Sequence, residues 1–147
     1  MSIPQEAPYM NAVLAAITGM TLLTVIGIAF GGTFMLRVVS GVQGANELQK
    51  TYFRAGHAHA GVLVTLGLVV ALLTDAAGVH SAWALAGTIG VLSAAIFIPA
   101  GFFLSVLGKD PKQPNRMAVS LWIGAATLVI GLLISGVAVA AAGISAI

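Results

Sequence analysis

The chain has 147 residues, of which 59% are hydrophobic and 7% charged, with a formal net charge of +2. Soluble domains carry about 25% charged residues, so a water-exposed globule is excluded and a bilayer is the expected solvent. The absence of cysteine excludes disulfides, thiolate metal sites and a cysteine nucleophile.

The opening residues, "MSIPQEAPYMN", lack the basic stretch of a signal peptide and carry Glu6 instead. Pro4 and Pro8 make this segment a short extended arm. The apolar run that follows ends without a small-residue cleavage pattern, so it is read as a membrane span that stays in the protein. It runs from about Ala12 to Leu36.

Three further runs have spanning length: about Gly56 to Leu73, Ala82 to Leu107 and Ala118 to Ala142. A helix needs about 20 apolar residues to cross the hydrocarbon. None of the four runs contains Asp, Glu, Lys or Arg. In lipid each must satisfy its own backbone, so each is expected to be a helix. The linkers are short, and Pro111 and Pro114 block a continued helix in the third. Short linkers make neighbours antiparallel. The expected fold is all-α: a single integral-membrane domain over 1–147, an up-down-up-down four-helix bundle.

The basic residues orient it. Arg37, Lys50 and Arg54 lie in the first linker, and Lys109, Lys112 and Arg116 in the third. The positive-inside rule places linkers 37–55 and 108–117 in the cytoplasm and both termini outside, in the cell inner (plasma) membrane. Tyr9 and Trp83 would then sit near the outer interface and Tyr52 near the inner one. Six basic residues are explained by this topology with some attraction to anionic lipid, and the linkers are too short for a nucleic-acid surface.

Burial does not drive helices together in lipid, but close packing at small residues does. Gly27 and Gly31 have GxxxG spacing, with Gly32 adjacent, and Gly61, Gly67 and Ala71 offer small residues in the second span. Ala86 and Gly90 do so in the third, and Gly124, Gly131 and Gly136 in the fourth. These faces serve either packing within the chain or docking onto another protein or protomer. Pro99, inside the third span, is expected to kink it and free a carbonyl near Ala95.

A faint repeat suggests two related helical hairpins. "FGGTFMLRVVSG" ending the first span resembles "IPAGFFLSVLGK" ending the third, and Arg54 before the second corresponds to Arg116 before the fourth.

His57 and His59 are the candidate chemical site. Imidazole binds zinc, copper and iron, ligates haem and relays protons. Residues two apart on a helix are rotated by roughly 200°, so the two rings face opposite ways and cannot chelate one ion while both are helical. One ring can serve as an axial haem ligand with the second ligand from elsewhere. His57 should share a face with Gly61 and Val64, and His59 with Val62 and Leu66. The other reading places both rings at a helix start, at the cytoplasmic headgroups, bonded to phosphate, a carbonyl or Glu47. Intramembrane carboxylates, phosphate-binding loops and Ser/His/Asp sets are absent from the pattern, so no catalytic residues are assigned.

The run Arg54-Ala55-Gly56-His57-Ala58-His59-Ala60-Gly61 resembles the signature of small uncharacterised bacterial four-span membrane proteins. More loosely, a His-x-His opening a span is similar to small membrane proteins related to haem–copper oxidase subunits. Those usually continue Leu-x-x-Leu-Gly, where Ala-Gly-Val-Leu follows here. The second similarity implies haem or copper as a cofactor held by His57 or His59. Three function classes follow: a non-enzymatic accessory or scaffold subunit that self-associates or joins a larger membrane complex; a haem- or metal-binding membrane protein; and a small oligomeric transporter or channel.

Overall fold

In a computed structural model, residues 10–147 are described. They form four long helices. α1 covers Ala12–Val39, α2 Glu47–Ala76, α3 Ser81–Ser105 and α4 Val119–Ser145, the last entered through a 3-10 turn at Arg116–Ala118. The N-terminal arm and Tyr9 lie outside the described residues. The helices have 25 to 30 residues. At about 1.5 Å per residue each exceeds the ~30 Å hydrocarbon, so the ends reach the headgroups. All four are long and apolar enough to cross a membrane.

The helix starts are written in side chains. Asn11 Oδ1 accepts from the Val13 and Leu14 amides at 3.0 and 3.3 Å and caps α1. Asn46 and Gln49 make a reciprocal capping box at α2: Asn46 Oδ1 accepts from Gln49 N at 2.9 Å, and Asn46 N donates to Gln49 Oε1 at 3.1 Å. His80 Nδ1 accepts from Ala82 N at 3.4 Å and caps α3. Two helices stop at glycines in the left-handed region, Gly41 (φ 79°) after α1 and Gly78 (φ 65°) after α2. At the second, Val79 N returns to Thr74 O at 3.0 Å, which satisfies a terminal carbonyl.

The second helix begins well before the expected Gly56. Glu-Leu-Gln-Lys is a strong helix-forming stretch, and the capping box starts it at Glu47. The apolar run marked only the part that crosses the hydrocarbon. Most of the expected linker 37–55 is therefore helical. Arg37 closes α1, while Lys50 and Arg54 lie inside α2. His57 and His59 sit within a helix rather than at its start.

Neighbouring helices are antiparallel, as expected. Phe34 of α1 meets Phe53 of α2, while Leu14 at the other end of α1 clusters with Ala71 and Ala84. Among the described residues, α1 nowhere approaches α4. The bundle is an open row, with α1 and α4 as its two free flanks. Their apolar side chains face outward, Phe30 at 75% exposure and Trp122 at 77%. Water would not tolerate such faces, and hydrocarbon does. The protein is a small polytopic membrane protein.

The tight seam is between α3 and α4. A Cβ on Gly131 would lie 2.7 Å from Val91 N and 2.9 Å from Gly87 O, and one on Gly90 would lie 2.8 Å from Gly131 Cα. Gly124 receives Ile98 and Gly101 receives Leu121. Ser120 Oγ of α4 donates to Phe97 O of α3 at 2.7 Å, two residues before the buried Pro99, through which α3 remains helical. Of the other expected packing glycines, Gly67 lies against Leu92 and Gly31 against His57. Gly27 and Gly61 meet nothing within 4 Å, so in this chain they face open space rather than a neighbouring helix.

The α1–α2 hairpin is looser than the α3–α4 hairpin. Arg54 and Arg116, matched by the repeat, occupy different local structure: Arg54 lies inside α2, and Arg116 opens the 3-10 turn.

Candidate functional site

At the end of the bundle that carries the basic residues, aromatic rings form a layer across three helices. Phe53 meets Phe34 edge-on at 5.4 Å and stacks on Phe103 at 5.5 Å. Tyr52 meets Phe102 edge-on at 5.6 Å. Met35, Val38, Phe53 and Val106 make the buried core behind these rings. Trp122 and Trp83, at opposite ends of the bundle, are exposed, whereas Tyr52 is half-buried against Phe102.

Both histidines lie about one turn beyond this layer, toward the middle of the bundle. They face different ways, as the helical rotation requires. His57 is half-buried on the face of α2 that also carries Gly61 and buried Val64. Its ring lies over the glycine step of α1: Nδ1 is 3.6 Å from where a Cβ on Gly31 would stand, and Nε2 is 3.8 Å from one on Gly32. A Cβ at either glycine would meet the ring only at ordinary van der Waals distance, so the ring packs against the small-residue face of α1.

His59 is exposed, on the face of Val62 and Leu66. Its Nδ1 lies 2.7 Å from Ala55 O. A carbonyl only accepts, so Nδ1 is the donor in this bond and Nε2 points away from it. The ring tilts against Phe102 at 5.1 Å. Glu47, the nearest expected acidic partner, is paired with Lys50 at 2.8 Å. Arg54 Nε donates back to Lys50 O at 3.3 Å, which draws its charge toward the headgroup end. His80 caps α3 at the opposite end. Among the described residues, no three His, Asp or Glu side chains converge as a metal site would.

Beyond the aromatic layer lies a polar cap that composition and motif reading missed. Gln49 is 8% exposed. Its Nε2 donates to Val106 O at 3.0 Å and Gly108 O at 3.1 Å. Asn46 Nδ2 donates to Asp110 Oδ1 at 2.9 Å and Pro111 O at 2.8 Å. Asn115 Nδ2 and N reach Leu104 O and Ser105 O at 3.0 and 2.7 Å. Asn46 and Gln49 thus bind the two basic linkers into one platform, and Asn115 folds the second of them back onto the end of α3. The Asn46 amide, followed by Lys112 at 2.6 Å, holds the Asp110 carboxyl below the usual carboxylate range. The sequence signal was present: Asn-x-x-Gln is a capping pattern, but its partners are far along the chain.

The hydroxyls within the spans mostly turn back onto their own helix. Thr18, Thr21, Thr24, Thr33, Thr65 and Thr127 donate to carbonyls three or four residues earlier at 2.7–3.0 Å. Thr88 and Ser135 are buried without a partner. No protein-family model, no curated protein and no solved structure matches the chain.

Proposed function

We propose that this membrane protein is a non-enzymatic accessory or scaffold subunit that packs sideways against a second copy or within a larger membrane complex. The open row of helices carries this reading. α1 and α4 do not meet, and the middle of α1 is mostly exposed. On α1, Gly27 faces open space between the exposed Leu23 and Phe30. A small residue between two large ones is the shape that lets another helix approach in lipid. The distribution of basic residues supports a cytoplasmic basic end and outward termini in the inner (plasma) membrane.

Native mass measurement in mild detergent tests it. The protein is expected to carry extra subunits, and Gly27→Leu to release them while helicity is unchanged, because a side chain at Gly27 meets nothing within its own chain. A strictly monomeric, partnerless protein would reject the reading.

The geometry of His59 favours a second reading, a haem- or copper-binding role. An imidazole with Nδ1–H on a backbone carbonyl is oriented as metal-ligating histidines are, with Nε2 free. Its other ligand would come from a second chain. Under this reading, protein from haem- and copper-supplemented cells shows a Soret band or stoichiometric copper that His59→Ala abolishes. A colourless, metal-free preparation rejects it.

A further inference from the structure

We propose that the cleft at the basic end holds the headgroup of an anionic phospholipid. The cleft measures about 470 Å³, within the ~300–1,000 Å³ range of ligand sites. It lies over the start of α2, between the C-terminal end of α1 and the chain leaving α3. Phe34, Phe53 and Leu107 supply apolar wall, and Gln43, Gln49 and Lys109 supply polar wall.

The charge balance selects an anion. Among the described residues the ion pairs are Lys50 with Glu47 and Lys112 with Asp110. Asp110 also lines the cleft, but one of its oxygens takes the Asn46 amide and the other takes Lys112. Among the described residues Lys109 has no carboxylate partner, so the cleft carries one uncompensated cation. Among the described residues the one carboxylate in the cleft has both oxygens engaged, which disfavours the ammonium of a zwitterionic headgroup.

The surroundings select a lipid. Phe34 and Leu107, both in the wall of the cleft, are themselves 36% and 58% exposed, so the cleft opens onto apolar surface that acyl chains can cover. Its walls are also pre-set. Gln49 and Asn46 tie α2 to the chain at Val106, Gly108, Asp110 and Pro111, so little ordering cost remains for a ligand. Basic clefts between helices at this level are the kind that take phospholipid headgroups.

The test is native mass spectrometry of the full chain in neutral detergent, titrated with phosphatidylglycerol or with phosphatidylcholine of the same acyl chains. One phosphatidylglycerol is expected to bind preferentially. Lys109→Gln should weaken it about fivefold, the worth of one Lys near a lipid surface. Arg116→Gln removes the same charge outside the cleft and should leave binding unchanged. Gly44→Leu gives an independent variant. Gly44 lines the cleft and meets nothing within 4 Å, so leucine there should obstruct the lipid without disturbing the fold. Equal binding of the two lipids overturns the proposal, as does equal weakening by Lys109→Gln and Arg116→Gln, or undiminished binding to Gly44→Leu. Displacement of the lipid by soluble glycerol phosphate at matching concentration would assign the cleft to a free anion and also overturn it.

Discussion

Gly131→Leu is expected to part α3 from α4 and to cost about 3 kcal/mol or more. A Cβ at Gly131 would lie 2.7 Å from Val91 N, 2.9 Å from Gly87 O and 2.9 Å from Gly90 C. All three are backbone atoms, which cannot rotate away as a side-chain tip can. The helices must separate by the width of the new side chain. Separation withdraws Ser120 from the Phe97 carbonyl and Ile98 from Gly124. Thermal unfolding followed by circular dichroism in detergent measures the loss. Gly136→Leu is the companion variant: it lies on the same helix with nothing within 4 Å, and its effect should stay within about 0.5 kcal/mol. Equal stability of the two variants would show that the α3–α4 seam is not the close contact described.

The second large effect is expected at the polar cap. Gln49→Glu replaces an amide that donates to two carbonyls with a carboxylate that only accepts. The Val106 and Gly108 carbonyls would then face a buried negative charge instead of a donor. Leaving a buried polar group unpaired costs about 1–3 kcal/mol, and more when a charge is involved. Gln49→Leu removes the donor without adding charge and should cost less. Both should raise hydrogen exchange across residues 106–111, while exchange in the middle of α3 stays slow. If Gln49→Glu exchanges there no faster than the natural protein, the amide does not hold the two linkers together.

Much of this molecule was legible without coordinates, and the legible part has one cause. Lipid leaves a chain few choices. An apolar run of spanning length must be helical, so the four spans could be read directly. The antiparallel order followed from the short linkers. The opposed faces of His57 and His59 followed from helical rotation alone.

The failures share a cause as well. Hydropathy marks where lipid begins, not where a helix begins. α2 therefore starts at Glu47, ahead of its apolar run, on a capping box and helix propensity. GxxxG spacing marks which residues are small, not which of them a neighbour reaches. Gly27, in GxxxG spacing, and Gly61 meet no neighbour within this chain, whereas Gly87 and Gly131, on different helices, form the close approach.

The chain by itself determined the class, the number of crossings, the antiparallel order and the clustering of charge at one end, because each depends on local composition. Only tertiary structure decided that the row stays open between α1 and α4, that His57 rests on the Gly31–Gly32 step, and that Asn46 and Gln49 fasten two linkers into a platform with a cleft. Those features join residues far apart in sequence. Their geometry depends on how four apolar rods, alike in composition, settle against each other, and that is governed by contacts of a single atom's width.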